Sequence, residues 1–185
     1  MARAAVILGA GMGTRMKSAT PKVMHPVAGL PILGHVIEAA RRAGCSRIVV
    51  VTAPGGETVR DFARAMGAKT AVQKEQLGTG HAARCAEPLL KGFTGAVVIL
   101  YGDMPLITSE TLEASFAAQK RAGMAIVAFR SKSPAYGRVI EKPKGVVARI
   151  VEYRDASAAE RRIDLCNAGI MAADCGQFFR WAAKL

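Results

Sequence analysis

The chain has 185 residues, of which 51% are hydrophobic, enough to bury a sizeable core in one domain; 26 Lys and Arg against 14 Asp and Glu set a net charge of +12. No apolar run approaches the ~20 residues needed to span a bilayer, and no signal-peptide core follows the N-terminus, so no membrane span is expected and a cytoplasmic location is. The basic residues are scattered and aromatics make up only 5%, so no stacking platform or basic arm for nucleic acid stands out, and small phosphorylated ligands suit the charge better.

In chain order, Ala4-Ala5-Val6-Ile7-Leu8 is a uniformly apolar run that reads as a short buried strand. It enters Leu8-Gly9-Ala10-Gly11-Met12-Gly13-Thr14-Arg15-Met16, so the glycines lie where a central strand stops and the chain must turn. Pro31 suits the first turn of a helix on which Leu33, Val36, Ile37 and Ala40 make one apolar face, and Gly44 is placed to end it. Residues 47–52 are β-branched and too uniformly apolar for an exposed strand, so they read as a second central parallel strand. A helix over 57–66, a short strand over 69–72 and a helix over 79–90 follow. A third buried strand over 96–101 ends abruptly in Gly102-Asp103-Met104-Pro105.

This alternation predicts an α/β fold, a Rossmann-like, mostly parallel sheet flanked by helices, with ligands beyond the carboxyl ends of its strands. A further helix over 109–122 carries Glu110 and Glu113 in its first turn and Gly123 after its last. Then the pattern changes. Strand-like segments over 124–129, 137–141 and 148–153, with turn residues such as Lys142-Pro143-Lys144-Gly145 between them, indicate a hairpin-rich insert. Residues 164–172 rejoin the sheet and 175–185 form a terminal helix.

The glycines at 9, 11 and 13 let backbone N–H groups crowd around one point, which suits a phosphate, and Arg15 and Lys22 add two permanent cations. An ordinary tight turn is the plainer alternative. The spacing fits no dinucleotide fingerprint, because Thr14 stands at the third glycine position and no acid ends the second strand, and it lacks the Gly-Lys-Ser/Thr of a P-loop. Asp103 leaves the same carboxyl edge, placed either to hold Mg²⁺ against phosphate oxygens or to cap a turn. In Gln73-Lys74-Glu75-Gln76-Leu77-Gly78-Thr79-Gly80-His81-Ala82, Gln73 offers a two-sided amide able to read a base edge, and the glycines permit close backbone approach. His81 reads as a helix-end residue or a catalyst. Cys45, Cys85, Cys166 and Cys175 form no C-x-x-C pair and read as small buried hydrophobes.

Together with Pro21-Lys22, Tyr101-Gly102-Asp103-Met104-Pro105-Leu106-Ile107, Tyr136-Gly137-Arg138, Ile150-Val151-Glu152 and Asn167-Ala168-Gly169-Ile170, these segments resemble the uridylyltransferase domain of the bifunctional bacterial enzyme that makes UDP-N-acetylglucosamine. The resemblance implies an enzyme in which N-acetylglucosamine 1-phosphate attacks the α-phosphorus of UTP, giving UDP-N-acetylglucosamine and pyrophosphate for peptidoglycan and lipopolysaccharide precursors. It implies that Leu8, Gly9, Ala10, Gly11, Gln73, Gly78, Thr79, Tyr101 and Gly102 hold the nucleotide. Arg15 and Lys22 would neutralise the phosphates, Asp103 would bind Mg²⁺, and Gly137, Glu152 and Asn167 would hold the sugar.

Two positions depart from the family pattern, Gly9 where alanine is usual and Met12 where lysine is frequent. The family domain continues past the position of Leu185, through an asparagine that shares the metal with Asp103. Residues 1–185 are therefore expected to be a nucleotidyltransferase domain cut short at its C-terminal end. It would lack the β-helix acetyltransferase domain with its trimer contacts and be monomeric or weakly associated. The competing readings are a related nucleotidyltransferase using CTP or GTP, and a non-catalytic nucleotide-sugar binding module.

Overall fold

The computed structural model describes residues 1–11 and 16–184. Its strands and helices follow the chain as β1 (Ala2–Leu8), a short hairpin β2 (Pro26–Val27) and β3 (Leu30–Pro31), α1 (Ile32–Arg42), β4 (Cys45–Thr52), α2 (Glu57–Ala65), β5 (Lys69–Val72) and α3 (Thr79–Arg84). They continue as β6 (Gly95–Tyr101), α4 (Ser109–Ala122), β7 (Met124–Arg130), β8 (Arg138–Lys142), β9 (Val146–Val151), α5 (Ala158–Arg161), β10 (Leu165–Asp174) and α6 (Cys175–Ala182). The α/β reading holds; the strand expected over 148–153 is Val146–Val151, the helix expected over 175–185 is Cys175–Ala182, and two further details differ from the expected elements. The helix expected over 79–90 stops at Arg84, four residues before Pro88, whose ring would clash with that residue's carbonyl; a 3₁₀ turn over Glu87–Leu90 takes its place. The β2–β3 hairpin turns through Ala28 and Gly29 at φ of 49° and 82°, the two positive values that such a tight turn demands.

The chain divides into two compact units, Met1–Ala125 with Met171–Leu185, and Ile126–Ile170. In the first, β5, β4, β1 and β6 lie side by side in that order and all parallel, and residues 171–174 of β10 run antiparallel to β6. Ala4 to Ile7, Val49 to Val51 and Val97 to Val98 are buried completely, which is why these runs carry no polar alternation. Leu33, Val36 and Ile37, the apolar face expected of α1, are fully buried as well. In the second unit β8 pairs antiparallel with β9 and, at Arg138 and Cys166, with β10; β7 also pairs with β10.

The register sets the level of the carboxyl edge. Leu8 stands opposite both Val51 and Tyr101, and Thr52 opposite Val72. The glycine loop, the Gly102-Asp103 turn and Gln73 therefore leave the sheet within a residue or two of one line. The strand order reverses between β1 and β6, which is where an open parallel sheet leaves a crevice.

Cys45, Cys166 and Cys175 are buried and Cys85 half-buried, all as free thiols. Burial pushes the Cys45 thiol up to about 12 and the Cys175 thiol up to about 11, from an ordinary value of 9.0. Both raised values belong to the folded state, so their contribution to stability is complete below pH 9 and is lost as pH rises through the folded values. Urea midpoints should fall between pH 8 and pH 10.5, and a Cys45→Ala, Cys175→Ala double variant should show a shallower fall.

Candidate functional site

A cleft of about 570 Å³, within the range of small-molecule sites, opens at the strand reversal of the first unit. Its floor is the end of β1: Leu8, Gly9, Ala10 and Gly11. Gly9 donates its N–H to Val51 O at 2.7 Å, so that donor extends the sheet ladder and is withdrawn from any ligand. Gly102 does not line the cleft; its N–H donates to Leu8 O at 2.9 Å, and a Cβ there would stand 3.2 Å from the same oxygen and 3.3 Å from Val23. It lets the turn after β6 lie flat against β1. Tyr101, just before it, does line the cleft.

Two opposite charges meet in the cleft lining. Lys22 Nζ donates to Asp103 Oδ2 at 2.7 Å, although the two residues are far apart in sequence. Lys22 is carried there by the turn Pro21 begins, and Asp103 by the end of β6. The carboxylate makes no helix cap or turn bond, so the plainer reading of Asp103 does not hold among the described residues. Its side chain is 36% exposed and that of Lys22 41%, so water screens the pair and it contributes little to stability.

The far wall comes from the segment after β5. Gln73 is buried, its N–H donates to Thr52 O at 2.8 Å, and its amide Nε2 donates to Gly78 O at 3.1 Å and to His81 Nδ1 at 3.2 Å. Gly78, at φ 97°, is the turn into α3, a backbone angle that leaves glycine as the residue without strain. Gly78, Thr79 and Gln73 all line the cleft. So do Met16, Val23, Gln76 and Ala82, which sequence reasoning had not assigned to a site. Gln76 was legible in principle, lying inside the same polar run and reaching Ala10 O with Nε2 at 3.5 Å. Arg15, expected beside the phosphates, lies outside the described residues, as do Met12, Gly13 and Thr14.

The second unit gathers the three remaining positions. Asn167 donates its N–H to Gly137 O at 2.9 Å and accepts from Gly169 N–H with its side-chain oxygen at 2.9 Å. Glu152 Oε1 lies 3.3 Å from where a Cβ on Gly137 would stand. Next to Gly137, Arg138 is completely buried and has no carboxylate partner among the described residues. Its guanidinium donates to Tyr136 O at 3.3 Å, Ser133 O at 3.0 Å and Cys166 Sγ at 2.7 Å, and stacks 4.9 Å from the Tyr153 ring centre. These contacts tie the 133–136 loop down next to Gly137. Nothing in the sequence marked this arginine as buried.

Residues 5–164 match the MobA-like NTP transferase domain. The chain belongs to that family. The domain is 53% identical over 176 residues to the bifunctional protein GlmU of Rhodospirillum rubrum, an alignment covering 92% of this chain and 39% of that protein. It is 46% identical to GlmU of Roseobacter denitrificans, over 97% of this chain and 40% of the relative. The chain thus spans about two fifths of the length of these relatives, and they bear out the uridylyltransferase-domain resemblance of its motifs. A solved structure of UDP-glucose pyrophosphorylase complexed with UDP-glucose superposes with a TM-score of 0.79 over 100% of this chain and 80% of the other. At 17% identity that likeness speaks for a shared nucleotidyltransferase fold.

Because the Lys22–Asp103 pair is half exposed, Lys22→Met should leave the urea midpoint within error of the parent protein, checked by chemical denaturation at neutral pH.

Proposed function

We propose that this NTP transferase domain catalyses uridylyl transfer: an oxygen of N-acetylglucosamine 1-phosphate attacks the α-phosphorus of UTP, the bond to the β-phosphate breaks, and UDP-N-acetylglucosamine and pyrophosphate form. The observation that carries the reading is the convergence of Gln73, the Leu8 to Gly11 backbone and the Lys22–Asp103 pair on one cleft. The GlmU relatives support the choice of substrates.

Such a reaction needs little covalent help from a protein; it needs alignment and neutralisation of charge. Gln73, Gly78 and Thr79 hold the uridine end, with Tyr101 beside them on the cleft and Gly102 keeping the turn after β6 against β1. The backbone at Ala10 and Gly11, past the Gly9 donor already bonded to Val51 O, carries the phosphates. Lys22, and Arg15 from outside the described residues, stabilise the negative charge that grows on the departing pyrophosphate. Gly137, Glu152 and Asn167 of the second unit hold the N-acetylhexosamine.

Magnesium suits this donor set. Asp103 supplies one hard carboxylate oxygen donor on the cleft, and such a donor suits Mg²⁺. The ion, when bound, supplies charge neutralisation at the phosphates. Asp103 would hold it, and the Lys22 ammonium beside it would face the phosphate oxygens.

Pyrophosphate release from UTP, N-acetylglucosamine 1-phosphate and Mg²⁺ tests the reading, and a preference for CTP or GTP in the same assay overturns it. Asp103→Ala should lower kcat/KM by about 10²-fold or more. Gly137→Ala brings a methyl to 3.3 Å from Glu152 Oε1 and should raise the KM for the sugar phosphate about tenfold without changing that for UTP, read from initial rates with each substrate varied.

A further inference from the structure

The Gln73 side chain has two amide protons, and both are spent inside the protein. One goes to Gly78 O, an atom that can only accept, so it decides which end of the amide faces Gly78. The other goes to His81 Nδ1, which therefore carries no proton and belongs to a neutral imidazole protonated at Nε2. Among the described residues none donates to Gln73 Oε1. A buried amide on the wall of the cleft is thus locked with its acceptor left over.

That orientation has a chemical meaning for the base. Uracil carries a proton at N3, between two carbonyls, and so presents a donor to a fixed acceptor. Cytosine carries a lone pair at N3 and would meet Oε1 acceptor to acceptor. To take cytosine well the amide would have to turn over, which breaks the bonds to both Gly78 O and His81 Nδ1 at once. We propose that His81 is a positioning residue that sets pyrimidine specificity, holding Gln73 with Oε1 presented so that a base with an N3–H is accepted and cytosine is rejected. The proposal rests on the reading of the cleft as a uridine nucleotide site. His81 touches no ligand in this account; it acts through Gln73.

The test measures equilibrium binding of UDP and CDP by calorimetry, so that it needs no turnover. The parent protein should bind UDP more tightly than CDP. His81→Leu removes the acceptor and should reduce the CDP-to-UDP ratio of dissociation constants about tenfold, the worth of one neutral hydrogen bond. His81→Asn puts Oδ1 where Nδ1 stood and should restore the ratio to within about twofold of the parent. If His81→Leu does not fold, as thermal melts will show, His81→Gln takes its place, because its amide reaches the Nε2 position instead, and the same loss is expected.

An unchanged ratio in the variant lacking the acceptor overturns the proposal. An equal loss in His81→Asn also overturns it, since packing and not the acceptor would then be at work. A parent protein that does not distinguish the two diphosphates does so as well. Failure of the uridylyl-transfer reading shows separately, as absence of pyrophosphate from UTP while UDP still binds selectively.

Discussion

The parallel register of β4, β1 and β6 is the constraint on which the cleft depends. Leu8 is held between Val51 and Tyr101, and two backbone bonds carry the ladders one step past the strand ends, Gly9 N–H to Val51 O and Gly102 N–H to Leu8 O. With the ladders extended, the loop after β1 and the turn after β6 start from the same level. Parallel strands cannot be joined by tight turns, so helical crossovers must cover the sheet, and its central strands become wholly apolar. Polar chemistry is thereby expelled to the strand ends. There the reversal of strand order leaves the crevice that Lys22, Gln73 and Asp103 surround.

Within the cleft the polar groups are organised by one another. The ammonium of Lys22 and the carboxylate of Asp103 are each other's counter-ions at 2.7 Å, and their exposure makes the pair easy to part. Gln73 is the opposite case. It is buried and its donors are satisfied by Gly78 O and His81 Nδ1, so turning it over carries the penalty of leaving buried groups unpaired. One wall is held by screened charge that can exchange partners, the other by neutral hydrogen bonds that resist exchange.

The second unit solves a different problem. A buried guanidinium with no carboxylate partner among the described residues has its two terminal nitrogens bonded to two backbone carbonyls and a thiol sulfur and its face against Tyr153, while its Nε finds no partner there. The chain gains a pinned loop at Tyr136, immediately before the glycine whose carbonyl receives Asn167. Glu152 can lie close to Gly137 because that residue has no side chain.

The sequence by itself determined the elements whose signals are local. The helix over Ser109–Ala122 matches its expected ends residue for residue, because Thr108 caps one end with its side chain and Gly123, at φ 82°, closes the other. The buried strands were legible as unbroken β-branched runs, and the glycine loop, Asp103 and Gln73 as polar residues directly after strands. The motifs likewise carried the family. The early end of α3 at Arg84 followed from Pro88, but the balance between that proline and the helical pattern before it was not evident from the pattern alone.

What only the tertiary structure decided were the relations between residues distant in sequence or ambiguous in chemistry. Lys22 and Asp103 meet because β1 and β6 are neighbours, which no local pattern records. Arg138 is buried because Ser133 and Tyr136 offer carbonyls and Cys166 lies opposite it on β10, where charge alone would have placed it at the surface. The sequence marked Gln73 as an amide able to read a base with either end. Folding chose the end, because Gly78 O and the unprotonated nitrogen of His81 accept both of its protons and leave the oxygen.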